Sequence, residues 1–310
     1  MEADMNKPLF GAIEAGGTKF VCAVGTGPDD LRDEIRFPTT SPTETLGRAL
    51  DYFRQAQSRH GALAAIGIGS FGPLDLDAAS PTWGSVTSTP KPGWSETVFA
   101  PLFSQELGVP VGFDTDVNGA VLGESRWGAG KGLSNLIYLT IGTGVGAGLL
   151  VEGRLVHGLV HPEGGHILLP RDPAVDPYEG FCPFHKNCLE GLAAGPALER
   201  RWGIPGSQLP PGHPAWALEA RYLALGLQAF LSVVSPQKMI LGGGVMQQPG
   251  LLPLVRRELL TLNNHYTRHA HLTPEGIDHY VVAPGLGDKA GIAGAIALAE
   301  HALSGQAFHP

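Results

Sequence analysis

Four soft ligands crowd one stretch of the chain: His166, Cys182, His185 and Cys188, the last three spaced Cys-x2-His-x2-Cys. Two thiolates and two imidazoles are the number and softness that tetrahedral Zn²⁺ prefers. A catalytic zinc keeps one position open for water, whereas four protein ligands close the site, so a structural zinc is expected here. The competing expectation is a loop with two buried thiols and surface histidines. Glu163 stands three residues before His166, and Glu190 two after Cys188. A metal clip would hold both carboxylates rigidly toward a polar ligand.

A second acidic cluster, Asp114-Thr115-Asp116, falls where a strand at Val109 to Phe113 is expected to give way to a helix. That junction lies at the mouth of an α/β crevice, the usual place for ligand chemistry. One of the three residues is expected to cap the helix. Two acids leave one free, and Asp116 is the candidate for chemistry. On the helix, Val117, Ala120, Val121 and Glu124 share a face, so Glu124 is an acid on an apolar stripe that needs a partner.

Glycine is the compositional outlier, at 44 of 310 residues, about twice its usual ~7% share. Pro8 to Gly25 reads as two β-runs around Gly16-Gly17-Thr18, either a plain hairpin or a nest of N–H groups for phosphate. Glu14 before the turn can reach a hydrated Mg²⁺, and Lys19 after it a phosphate. A strand at Asn135 to Ile141 leads into Gly142-Thr143-Gly144. The spacing Gly142-x-Gly144-x-x-Ala147 imitates a dinucleotide fingerprint, but that motif demands a helix next. A second strand with its own Glu152-Gly153 turn follows, so this is another glycine-rich hairpin. Gly128 to Gly132 lacks the spacing and hydroxyl of a Walker A loop. Gly242-Gly243-Gly244, after a strand at Lys238 to Leu241, is either an adenine site or a tight turn.

The elements that must position these groups read as follows. A third strand covers Glu34 to Pro38, and Ser41-Pro42-Thr43-Glu44 is a capping box. Its helix runs to about Ser58, with Leu46, Ala49, Leu50 and Phe53 on one face. A buried strand, 64–71, is broken by Gly72-Pro73 and opens a long loop, 74–94, containing STPKPGW. Lys91 and Trp94 there are either sugar contacts or loop packing. Helices are expected at 96–107, at 215–235 with Leu223, Leu227 and Phe230 inward, at 250–262, and in the small-residue run near the C-terminus. SGQAFHP at the end is expected to fray. His265, His269, His271 and His279 form no convincing ligand cluster and are assigned to the surface.

Net charge is −8 with no basic run, which argues against nucleic acid and anionic membranes as partners. No apolar segment is expected to reach the roughly 18 residues of a membrane span. MEADMNKPLF pairs no charged n-region with an apolar h-region and a cleavage site, so no leader is expected, and three cysteines suit a reducing cytoplasm. Two similar halves, each opening on a glycine hairpin, suggest two lobes clamping a polyphosphate. Asp116 would then take the proton of an acceptor hydroxyl attacking the γ-phosphorus.

The motifs EAGGTK (14–19), GSFGPLD (69–75), DTDVNGAVLGE (114–124), IGTGVGAG (141–148), HPEGGH (161–166), CPFHKNCLEG (182–191), ILGGGVM (240–246) and LGDKAGIAGA (286–295) together resemble the ROK family of sugar kinases. That family lies within the actin/hexokinase/Hsp70 superfamily, and the resemblance runs from Gly11 to about Leu298. STPKPGW, HPEGGH and CPFH are similar to its bacterial fructokinase branch. The resemblance implies an α/β, two-lobed actin-like ATPase (ribonuclease H-like) fold, each lobe a mixed sheet flanked by helices, with the site in the cleft. The lobes are expected at 1–115 and 116–310, with the C-terminal helix 289–303 packing back on the first.

It further implies ATP with Mg²⁺ held by Glu14, Gly16, Gly17, Thr18, Lys19, Gly142, Thr143, Gly144, Gly242, Gly243 and Gly244. Asp116 would be the general base, with Gly72, Pro73, Lys91, Thr115, Asp116, Glu163, His166 and Glu190 toward the sugar. The expected reaction transfers the γ-phosphoryl of ATP to the 6-hydroxyl of D-fructose in a cytoplasmic homodimer, with glucose or mannose as rival acceptors. Two departures matter. Glu14 stands where many members carry Asp, and Thr115 where many carry a sugar-contacting Asn. The second argues against simple transfer of glucokinase specificity. A DNA-binding repressor of the family would need a helix-turn-helix ahead of the first hairpin, and a catalytically dead sensor is not expected to retain Asp116, Lys19 and both turns.

Overall fold

The computed structural model describes residues 7–305. The chain begins with the meander β1 (Phe10–Ala15), β2 (Lys19–Gly27) and β3 (Asp30–Pro38). It continues through α1 (Pro42–His60), β4 (Ala65–Ser70), α2 (Ala100–Leu107), β5 (Val111–Thr115) and α3 (Asp116–Trp127). A second meander follows: β6 (Leu136–Ile141), β7 (Val145–Val151) and β8 (Arg154–Leu155). After it come α4 (Leu189–Ala193), α5 (Gly195–Trp202), α6 (Ala215–Val234), β9 (Lys238–Gly242), α7 (Leu251–Asn263), β10 (Val281–Val282) and α8 (Ala290–Ser304).

The two sheets have the orders β3-β2-β1-β4-β5 and β10-β9-β6-β7-β8. In each, a three-strand meander whose first two strands are antiparallel supplies one side, and two strands parallel to its first member supply the other. One topology is thus used twice. The chain divides into two compact units: residues up to 132 with 154–161 and the chain from 288 onward, and residues 133–153 with 162–287. The boundary expected at 115/116 differs from this division because α3 packs against α8 and β4, inside the first unit. Helix α8 also lies on β1, β4 and β5.

Strands β1, β2 and β4 of the first sheet are buried on both faces, which is why they read as near-continuous apolar runs, whereas the edge strand β3 alternates exposed and half-buried residues. Ile13, Ala15, Phe20, Cys22 and Val24 point into an aromatic core with Phe53, Trp94, Phe99 and Phe103. Alternate residues Phe10, Ala12, Val21 and Ala23 meet Ile292, Ala295, Ile296 and Ala299 of α8. The small-residue sequence of α8 is explained by distance: a Cβ on Gly123 of α3 would stand 2.8 Å from the Gly294 nitrogen.

Ser41 caps α1 by accepting the Glu44 N–H at 3.4 Å, with Pro42 in its first turn. The four residues assigned to its inner face are all buried. Helix α2 starts at Ala100, not near Glu96, because Glu96 takes φ 60° and Phe99 turns inward to the core. Strand β5 lies two residues later than expected and so carries Asp114 and Thr115 itself. Trp94 packs: it is fully buried, its ring 5.3 Å from Phe71 and 5.7 Å from Phe20, and its Nε1–H donates to the Thr40 carbonyl at 2.8 Å.

Helix α6 corrects the expectation about long apolar segments. Its mean hydropathy of 1.3 over 18 residues makes it long and apolar enough to cross a membrane by composition. In the structure it packs against α7 and α4, as a core helix of the second unit does. The expected frayed tail lies, beyond Gly305, outside the described residues.

Candidate active site and metal centre

In the first unit the candidate groups line one sheet edge. Strands β1, β4 and β5 are parallel neighbours, and their registers align Ala15 with Ser70 and Ser70 with Thr115. The residues that follow these three positions are the Gly16–Thr18 turn, Phe71-Gly72-Pro73 and Asp116. Strands about 4.8 Å apart therefore bring three segments, far apart in sequence, to one carboxyl edge, where ligands of open α/β sheets bind.

The first turn is closed by Gly16 N–H to the Lys19 carbonyl at 2.9 Å and braced by the Thr39 hydroxyl on the Gly16 carbonyl at 2.7 Å. Gly17, Thr18 and Lys19 are exposed. Burial holds the Glu14 carboxyl above the usual carboxylate range against the pull of Lys19, and the Asp288 carboxylate adds to the rise. Sequence reasoning assigned no role to Asp288, whose only signal was its place in LGDKAGIAGA.

At the β5–α3 junction the three residues divide the work. Thr115 caps α3, its hydroxyl accepting the Asn118 N–H at 3.1 Å. Asp114 is buried and accepts the Thr115 N–H at 2.7 Å, the Asn118 side-chain amide at 2.8 Å and His157 Nε2 at 2.8 Å. Asp116, half-buried, accepts the Val117 N–H on Oδ1 at 2.9 Å. Glu124 has the partner its position demanded: its Oε2 accepts the Ala129 N–H at 2.6 Å as the chain leaves the helix. Lys91 donates to the Thr39 carbonyl at 3.4 Å.

In the second unit, β6 and β9 are parallel neighbours with Thr140 opposite Gly242, so Gly142–Gly144 and Gly242–Gly244 share an edge. Gly243 has φ 91°, and a Cβ there would stand 2.5 Å from the Ile141 nitrogen. The N-terminus of α5 joins them, with the Gly195 N–H donating to the Gly142 carbonyl at 2.7 Å. Glu190 Oε2 accepts the Val145 N–H at 3.1 Å, which ties α4 to the hairpin. A Cβ on Gly144 would stand 2.6 Å from that same oxygen. The turn Gly164–His166 packs against β7, where a Cβ on Gly164 would meet Ala147 and Phe230 at 2.7 Å. Partial desolvation, and then the Glu190 carboxylate, hold Glu163 above the usual range.

The metal-ligand set is gathered. Ligand atoms of His166, Cys182, His185 and Cys188 all lie within 4.8 Å of one another. His166 Nδ1 is 3.8 Å from Cys182 Sγ and 3.5 Å from Cys188 Sγ, and His185 Nδ1 is 3.8 Å from Cys182 Sγ. Tetrahedral zinc with the usual N and S bond lengths needs N···S separations of about 3.6 Å. The donor set therefore fits. Burial pushes the Cys188 thiol up to about 12, a cost that a bound dication would reverse. Cys188 Sγ also accepts the Gly191 N–H at 3.3 Å and caps α4, so the cluster leads directly to Glu190. All three cysteines are free thiols.

The duplicated topology, with a glycine hairpin opening each sheet, is the actin-like ATPase fold. A Streptomyces griseus ROK family glucokinase in complex with glucose and AMPPNP shares it with TM-score 0.73 and 26% identity, over 94% of this chain and 99% of that one. The ROK family model matches residues 10–302, and the chain belongs to the ROK family. It is 48% identical over 299 residues to a protein of Bacillus subtilis (strain 168), covering 96% of this chain and 98% of that one. It is 44% identical to the fructokinase of Zymomonas mobilis subsp. mobilis, over 95% of this chain and 97% of the relative.

Proposed function

We propose that this chain, which is an ATP-dependent sugar kinase, phosphorylates D-fructose at its 6-hydroxyl. The observation that carries the reading is the shared carboxyl edge of β1, β4 and β5. That edge supports reading Gly16–Thr18 as the phosphate turn, Gly72-Pro73 as the sugar-side segment and Asp116 as the carboxylate for the proton, because all three follow register-aligned strand ends. The choice of fructose rests on the Zymomonas mobilis fructokinase, nearly co-extensive with this chain, and on Thr115, whose hydroxyl serves as a helix cap.

In this reading ATP enters as its magnesium complex. Gly16–Thr18 in the first unit and Gly142–Gly144 in the second are assigned to the phosphates through their backbone N–H groups, Lys19 to added positive charge, and Gly242–Gly244 to the adenine. Glu14, with Asp288 nearby, offers the hard oxygen donors that Mg²⁺ prefers. Asp116 accepts the proton of the sugar 6-hydroxyl as that oxygen bonds to the γ-phosphorus. The bond to the β–γ bridging oxygen breaks, ADP leaves, and most of the acceleration comes from positioning and charge stabilisation.

The residues assigned to the sugar are Gly72, Pro73, Lys91 and Thr115 of the first unit and Glu163, His166 and Glu190 of the second. His166 turns Nδ1 toward the cysteines, which leaves Nε2 for a sugar hydroxyl. Zinc on His166, Cys182, His185 and Cys188, when bound, supplies a four-ligand cross-link with no open position. A cytoplasmic homodimer completes the proposal, as the family resemblance implies. The test is ADP release from Mg-ATP over a panel of free hexoses. The highest kcat/KM is expected for fructose; a clear preference for glucose or mannose would overturn the choice of sugar and leave the kinase reading intact.

A further inference from the structure

Residues 154–161 form a short strap in the first unit. Its middle, Gly158, Leu159 and Val160, is exposed, with Leu159 fully so. The histidines on either side of that stretch turn inward. The His157 side chain is only 6% exposed, and its Nε2 lies 2.8 Å from Asp114 Oδ2. His161 is buried, and its Nε2 accepts the Leu74 N–H at 3.0 Å. The strap thus bonds two segments of the carboxyl edge: the β5–α3 turn that carries Asp116, and the loop that follows Gly72-Pro73.

The two contacts have opposite chemistry. Oδ1 of Asp114 is already used by the Thr115 N–H and the Asn118 amide, and an ionised carboxylate only accepts. His157 must therefore donate from Nε2 to Oδ2. Leu74 offers an N–H, so His161 must accept on Nε2, and neutral imidazole then carries its proton on Nδ1. Gly72 neighbours the second anchor: a Cβ there would stand in ordinary contact, 3.5 Å from the His161 ring.

We propose that His157 and His161 are positioning residues for phosphoryl transfer, His157 acting through Asp114 on the turn that presents Asp116, and His161 through Leu74 on the Gly72-Pro73 wall. This rests on the reading of Asp116 as base and of Gly72 and Pro73 as sugar-side residues. Each anchor should govern a different kinetic constant. Loosening the base affects the chemical step, since misplacement by about 1 Å costs on the order of 100-fold. Loosening the wall weakens ground-state and transition-state binding of the sugar together, which raises KM.

The experiment measures steady-state kinetics and Tm for His157→Ala, His157→Gln, His161→Leu and His161→Gln, with Asp116→Asn alongside. His157→Ala is expected to lower kcat about 10–100-fold with the KM for ATP within threefold. His157→Gln, whose amide can donate to Asp114, should recover to within about fivefold of wild type. His161→Leu is expected to raise the KM for fructose about tenfold with little change in kcat, and His161→Gln, which can accept from Leu74, should restore it.

Unchanged kcat in His157→Ala, with Asp116→Asn inactive, overturns the positioning of the base alone. Loss of activity in step with a Tm drop, without rescue by Gln, assigns the histidines to folding and overturns the proposal. A fully active Asp116→Asn removes the base reading itself, and with it the route by which His157 acts.

Discussion

Replacing Gly144 by alanine tests the link between the second hairpin and the acidic pocket. A Cβ there would stand 2.6 Å from Glu190 Oε2, whereas ordinary contact begins at 3.4 Å. The carboxylate oxygen must therefore retreat by roughly 0.8 Å. The Val145 N–H lies 3.1 Å from that oxygen, and a retreat of this size along the bond stretches it beyond hydrogen-bonding distance. Hydrogen bonds to charged groups contribute about 1.5–3 kcal/mol, so kcat/KM for the sugar is expected to fall about 10–150-fold. If the bond also supports the fold, Tm falls by about 3–12 °C. The assay is coupled ADP release with a melting curve on the same samples. Gly17→Ala provides the contrast, because nothing lies within 4 Å of a Cβ there; its Tm should not move. Gly144→Ala within twofold of wild type in kcat/KM, with unchanged Tm, would refute the claim that Glu190 is held by this contact.

Two further outcomes follow from the second unit. Metal analysis should find one zinc per chain; a chelator, or Cys182→Ser, should lower Tm by about 10 °C, the scale set by tight ligand binding to the folded state alone. A chain that is metal-free as purified and indifferent to chelation would contradict this. Glu219 is fully buried in α6, both carboxylate oxygens lack a hydrogen-bond partner among the described residues, and burial raises its pKa well above the ordinary 4.5 despite Arg201. Below 4.5 the acid is neutral in both states. As pH rises above that value, the unfolded chain releases a proton that the folded chain retains, so stability is lost up to the folded pKa. The Tm of wild type relative to Glu219→Gln should therefore fall as pH rises above 4.5; a constant difference would show that Glu219 does not titrate with unfolding.

Features set by local chemistry were legible in the sequence. The candidate metal cluster declares itself because metal coordination restricts residue type and spacing, and both glycine hairpins do so because their flanking strands are apolar runs. Ser41 was legible as a cap from its own four-residue box, and one of 114–116 as another. Features made by distant pairing were not. His157 meets Asp114 across 43 residues, and His161 meets Leu74 across 87; nothing near either histidine in sequence announces its partner. The constraint on Gly144 comes from Glu190, 45 residues beyond Val145. Helix α5 escaped notice because it is eight residues long and opens on Gly195-Pro196, which reads as a turn. The loop around Trp94 was ambiguous because an indole suits a sugar face and an aromatic core equally; only the burial of its ring decided between them.

The central claim is that Asp116 takes the proton of the fructose 6-hydroxyl during phosphoryl transfer from ATP. Its most direct measurement is ³¹P NMR of the product formed from Mg-ATP and D-fructose by the wild-type chain and by Asp116→Asn, with nucleotide and sugar binding measured on both. Fructose 6-phosphate from the wild type is expected, with the rate reduced about 10²–10⁴-fold in Asp116→Asn while both ligands still bind. Phosphate on another hydroxyl, or an Asp116→Asn variant within tenfold of wild type, would contradict the account.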